Sequence, residues 1–145
     1  MDILIGLYNH LSNDEKIKKI VGNKIYPVIL PQNVTLPAIV YSSVLANYDS
    51  ALQGDTGFVR QTIQIVSHAK TYKEARELSR LIKKRIQNLH GNMGGVFIEA
   101  VFIKTDYELN TNTALKFDTE EYMCSIEFEF YYIENKEVKW NGDSW

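Results

Sequence analysis

Little in this sequence is equipped for chemistry. One cysteine, Cys124, in 145 residues excludes an internal disulfide and a cysteine-built zinc site. A reducing compartment is the simpler expectation. Three histidines, His10, His68 and His90, sit far apart without metal-ligand spacing. No apolar run is long enough to span a bilayer, and residues 1–11 carry no basic leader, so neither membrane nor export is expected. The sequon at Asn33 and Thr35 then has no meaning, because glycosylation requires secretion. The net charge of -2 excludes a globally basic nucleic-acid binder while leaving room for a local patch.

What is present is an ordinary globular share of apolar residues, 45%, in a chain of single-domain length. Ile3, Leu4, Leu7, Tyr8 and Leu11 recur at helical spacing. Ser12 and Glu15 read as a capping box opening a second short helix, ended by Gly22. Pro27, Pro31 and Pro37 break up an arm or loop. Strands are expected over 36–45, 58–67, 96–103 and 120–133, the third apolar at nearly every position and therefore central. The clearest helix is predicted over 72–89. Thr71 and Glu74 form its capping box, Ala75, Leu78, Ile82, Ile86 and Leu89 its buried stripe, and Gly91 stops it. The fold class is α+β: a mainly antiparallel sheet of about four strands packed by one long helix, with N-terminal helices. One domain is expected over 1–133, followed by a C-terminal tail over 134–145.

Candidate sites dissolve on inspection. Cys124 alternates with Tyr122 and Ile126 and reads as a small buried hydrophobe. His90, just before Gly91, suits the C-terminal end of a helix dipole. The run from Gly91 to Gly95 follows a helix and lacks the lysine of a phosphate loop, so it is a turn. Glu127 and Glu129, about 7 Å apart on one strand face, have only the spacing of an acid/base pair. No catalysis, cofactor or metal is expected.

Charge is distributed more informatively. Residues 70–85 carry seven cations against Glu74 and Glu77, and residues 118–137 seven acids against Lys136. Arg76, Arg80, Lys83 and Lys84 fall off the buried stripe and make one helix face basic. Three readings stay open: solvated or internally matched charge, a contact between this face and Glu127 and Glu129 of a neighbouring copy, or nucleic-acid binding by helix 70–85. Two polar connectors, 47–57 and 104–118, offer contact groups: Tyr48 and Leu52 in the first, Tyr107, Leu109 and Leu115 in the second. They are expected to be mobile alone and ordered against a partner; for the second, a hairpin extending the sheet is the alternative.

The order of signals resembles a family. Ile20-Val21-Gly22-Asn23-Lys24 leads into Ile25-Tyr26-Pro27, and a proline-rich arm into Leu36-Pro37-Ala38-Ile39-Val40-Tyr41. The strand from Gln61 to Ser67 and the helix opening Thr71-Tyr72-Lys73-Glu74-Ala75 complete the set. Together they resemble the tail-completion or tail-terminator proteins of long-tailed bacteriophages, over residues 1 to about 133. The resemblance implies a non-enzymatic virion subunit forming a homo-oligomeric ring, usually a hexamer, that caps the tail tube, stops its polymerisation and joins the tail to the head. The implied partners are further copies, the tube protein and a head connector or stopper protein, with DNA only passing through the ring. The implied location is the virion tail, with assembly in the host cytoplasm. A connector or stopper subunit is the near alternative.

Overall fold

A computed structural model describes residues 2–51, 54–110 and 121–134. The Asp2 side chain accepts from Leu4 N at 2.7 Å and starts α1 (Ile3–Ser12). α2 (Glu15–Val21) is capped by Asp14, which accepts from Lys16 N and Ile17 N at 2.9 Å. The expected cap, Ser12, belongs instead to the last turn of α1, where its hydroxyl donates to Tyr8 O at 2.7 Å. β1 (Ile25–Pro27), β2 (Ala38–Ala51) and β3 (Gly54–Ala69) follow. Then come α3 (Tyr72–Ile86), β4 (Gly91–Met93), β5 (Val96–Asn110) and β6 (Tyr122–Ile133).

Among the described residues the sheet has six strands, not about four, in the order β1-β2-β3-β6-β5-β4, and three helices accompany it. Among the described strands β1–β2 is parallel and every other pair antiparallel. The two strands that the pattern missed, β1 and β4, are three residues each, too short for any periodicity to register. β3 and β6 are central; the apolar strand expected at the centre is β5, whose pairing with β4 covers only Val96 to Ile98. It read as buried throughout because its outward residues Phe97 and Phe102 are aromatic.

The described parts of both connectors expected as loops, 47–51, 54–57 and 104–110, are strand. Ser50 pairs with Asp55 and Ala51 with Gly54, so 47–51 and 54–57 continue the β2–β3 ladder. Residues 104–110 extend β5 against β6, as in the hairpin alternative. Polar composition did not prevent this, because a ladder of backbone hydrogen bonds needs no apolar face once its neighbour is anchored. Leu52 and Leu115 lie outside the described residues, as does 135–145 of the proposed C-terminal tail.

All three helices share one sheet face. Leu7, Leu11, Ile17 and Val21 join Ile39, Ile63, Ile126 and Phe128 in one core with Leu78, Ile82 and Ile86 of α3. Thr71 caps α3 as expected, accepting from Glu74 N at 3.1 Å. The helix ends at Ile86 rather than at 89, because Gln87 leaves the helical region at ψ 135° and Asn88 follows left-handed at φ 63°. Leu89 still packs on the core. α1 crosses the β4–β5 turn at Gly6 and Gly94, where a Cβ on Gly94 would stand 2.1 Å from Gly6 O. A polar relay runs from the core to the surface: buried Tyr132 Oη donates to Gln61 Oε1 at 2.7 Å, and Gln61 Nε2 donates to the exposed Ser43 Oγ at 2.8 Å.

Candidate interaction surfaces

Alternation along β3, β5 and β6 divides their side chains between two environments. Ile63, Ile65, Ile126 and Phe128 point into the helix layer. Arg60, Thr62, Gln64, Ser125, Glu127, Glu129 and Tyr131 point to the other face, which no described element covers. Glu127 and Glu129 therefore lie on the opposite side of the sheet from the basic helix. They cannot neutralise it within one subunit.

The helix finds other partners. Arg76 reaches Glu108 at 3.5 Å and Lys83 reaches Asp106 at 3.7 Å, both on the strand extension of β5. Arg80 and Glu77 pair along the helix at 2.7 Å. That hydrogen bond holds Glu77 below the usual carboxylate range and raises Arg80. These pairs are exposed, with Arg76 and Arg80 side chains 51% and 58% accessible, so each contributes little to stability. Lys16, Lys18 and Lys19 of α2 continue the basic surface beside Lys84.

The face that no described element covers has an aromatic row that sequence spacing did not reveal. The Tyr131 ring lies 6.0 Å from Phe58 and 5.6 Å from Phe102, drawing on three strands. Phe102 is 60% exposed. Only the outward position of Tyr131 in the β6 alternation hinted at it. Tyr131 Oη donates to Glu129 Oε1, which raises the phenol above its ordinary range. Gln64 Nε2 bridges Tyr107 Oη and Ser125 Oγ at 3.0 Å each. Of the other proposed docking groups, Leu109 and Tyr107 share this face opposite Met123 and Ser125, while Tyr48 lies opposite Val59 on the helix side and is exposed.

The groups with catalytic potential are occupied structurally. Cys124 is buried with Ala69 and Ala75, and burial pushes its thiol up, away from nucleophilic use. His10 Nε2 meets Arg85 O at 3.1 Å, and burial lowers its pKa. His68 Nδ1 meets Glu121 Oε1 at 2.6 Å. His90 lies beyond the helix end rather than on it and bonds Glu99 O at 2.8 Å. No three ligating groups converge on a metal position among the described residues. No described helix is long and apolar enough to cross a membrane.

Residues 6–115 match the family model described as Tail completion protein gp17. No curated protein matches the sequence. Among solved structures, the fold is similar to a chain of the virion of a native gene transfer agent particle, with a TM-score of 0.67 and 11% identity. That similarity covers 88% of this chain and 91% of the other.

Proposed function

Because the chain belongs to the tail completion protein gp17 family, we propose that it is a tail-terminator subunit whose copies close into a ring on the tail tube, stop its polymerisation and dock the head connector. Membership makes it a structural protein of a phage-like virion tail and not an enzyme. The observation that supports the finer reading is the separation of two complementary surfaces. A basic helix layer lies on one side of the sheet and a face bearing Glu127 and Glu129 on the other. A patch that fits a different patch on the next copy makes a heterologous contact, the kind that generates rings when its rotation closes. Six copies is the stoichiometry of the proposal, with DNA passing through the ring and assembly in the host cytoplasm.

Native mass spectrometry of the purified protein tests it. One discrete closed oligomer, loosened by salt, is expected; a monomer at every concentration overturns the reading. A stopper subunit would form a similar ring, but would bind purified connector and not purified tube protein. The continuation of the basic surface onto Lys16, Lys18 and Lys19 favours a second reading, a nucleic-acid accessory. Salt-sensitive DNA binding by a monomer would decide for it.

A further inference from the structure

We propose that the outer part of β5 is an autoinhibitory clasp, an internal rival that occupies the basic helix until the acidic surface of another copy displaces it. This rests on the ring reading, in which the same helix meets Glu127 and Glu129 of the next copy, and adds to it a control on when that contact forms. Asp106 and Glu108 hold alternate positions on β5, opposite Ile126 and Cys124 and so on the helix side of the sheet. Glu127 and Glu129 alternate in the same way on β6. Each pair therefore presents two carboxylates about 7 Å apart along a strand. The subunit carries on its own β5 a copy of the acidic pattern that its neighbour would offer.

The clasp holds α3 at three points. Tyr72 Oη donates to Glu108 Oε1 at 2.6 Å, Arg76 Nη1 lies 3.5 Å from the same oxygen, and Lys83 Nζ lies 3.7 Å from Asp106 Oδ2. Arg80 is held within the helix by Glu77. Of the cations Arg76, Arg80, Lys83 and Lys84, three thus have a carboxylate partner inside the subunit. The hold is of a kind that can be exchanged. Both ion pairs from β5 are long and exposed, so solvent and salt weaken them, and a second pair of carboxylates can take the same cations without unfolding anything. Only the bond from the tyrosine hydroxyl to the ionised carboxylate is short, and it fixes Glu108 within reach of Arg76. Copies that associate must first displace Asp106 and Glu108, which raises the concentration at which they close. Copies gathered at one place, as on the end of a tube, pass that threshold because their effective concentration is high.

Neutralising the clasp tests this. The combined variant Asp106→Asn, Glu108→Gln should lower the concentration for half-assembly roughly threefold or more in native mass spectrometry of a dilution series. Its denaturation midpoint should stay near that of the wild type, because both side chains are exposed. Arg76→Ala should weaken assembly and cancel the gain from Glu108→Gln, since the carboxylate then has no arginine to occupy. An equal gain in the Arg76→Ala background would mean that lost negative charge acts without the contact, and overturns the clasp. A combined variant that assembles no more readily than the wild type overturns it as well. Retention on heparin, a polyanion that requires no second copy, separates the clasp from the ring: the combined variant should elute at higher salt than the wild type whether or not copies associate. An unchanged elution removes the clasp alone, whereas a wild-type protein that is monomeric at every concentration removes the ring reading.

Discussion

Ile82→Ala is the most direct test of the frame that carries both surfaces. Ile82 is 1% exposed on α3, in the core shared with Leu78, Ile86, Ile126 and Phe128. The substitution deletes three buried carbons, a transfer loss of roughly 2.4 kcal/mol at about 0.8 kcal/mol each. Every 50 Å³ of cavity that fails to collapse adds about 1.2 kcal/mol. Alanine is the better helix former, which returns roughly half a kcal/mol. The net expectation is about 3 kcal/mol, inside the usual range for Ile→Ala in a core. Urea denaturation reads it as a lower midpoint with an unchanged slope. Lys84→Ala, on the exposed side of the same helix, is the control and should stay within about 0.5 kcal/mol. A loss that small for Ile82→Ala would mean that α3 does not bury this stripe, and the outward placement of Arg76 and Arg80 would fall with it.

Gln61→Leu should cost about 1–3 kcal/mol by leaving the Tyr132 hydroxyl buried without its acceptor. Adding Tyr132→Phe should recover part of that loss in a double-mutant cycle; strict additivity would mean that the two side chains do not interact. Gly94→Ala should destabilise by more than about 2 kcal/mol, since its backbone is left-handed and its new Cβ would strike the Gly6 carbonyl; a melting temperature like that of the wild type would mean that α1 does not cross this turn. Burial holds His10 below its ordinary pKa of 6.5, so the unfolded chain takes up the proton first. Its contribution is therefore complete above about pH 6.5 and declines as the pH falls through the folded value, and His10→Gln should flatten that part of the stability profile.

How much of this was legible depended on whether a signal was local. The α3 stripe, the Thr71 cap and the alternation of β6 all lie within a few turns or pleats, and each is found where the spacing put it. The cap of α2 was misread because Ser12 and Asp14 are both good capping residues, and only the length of α1 decides between them. The strand extensions 47–51 and 104–110 were hidden because polar residues show no apolar alternation. With them went Asp106 and Glu108, the acids that match the basic helix. Arg76, Arg80 and Lys84 could be placed on an outward helix face from spacing alone. The aromatic row could not, since Phe58, Phe102 and Tyr131 meet only when β5 and β3 flank β6.

The position of β6 between β3 and β5 also governs when the subunit comes into being. Its pairing with β3 joins residues 53 to 75 positions apart in the chain, from Ala69 with Tyr122 to Phe58 with Ile133. Contacts so distant form late and slowly, because the entropy of closing the intervening chain is lost before the ladder rewards it. A nascent chain on the ribosome thus holds two half-sheets with an unfilled slot between them until Ile133 has emerged. Neither half carries the finished outer face, since Tyr131 arrives with the last strand. An early-terminated chain that lacks β6 therefore lacks the completed sheet.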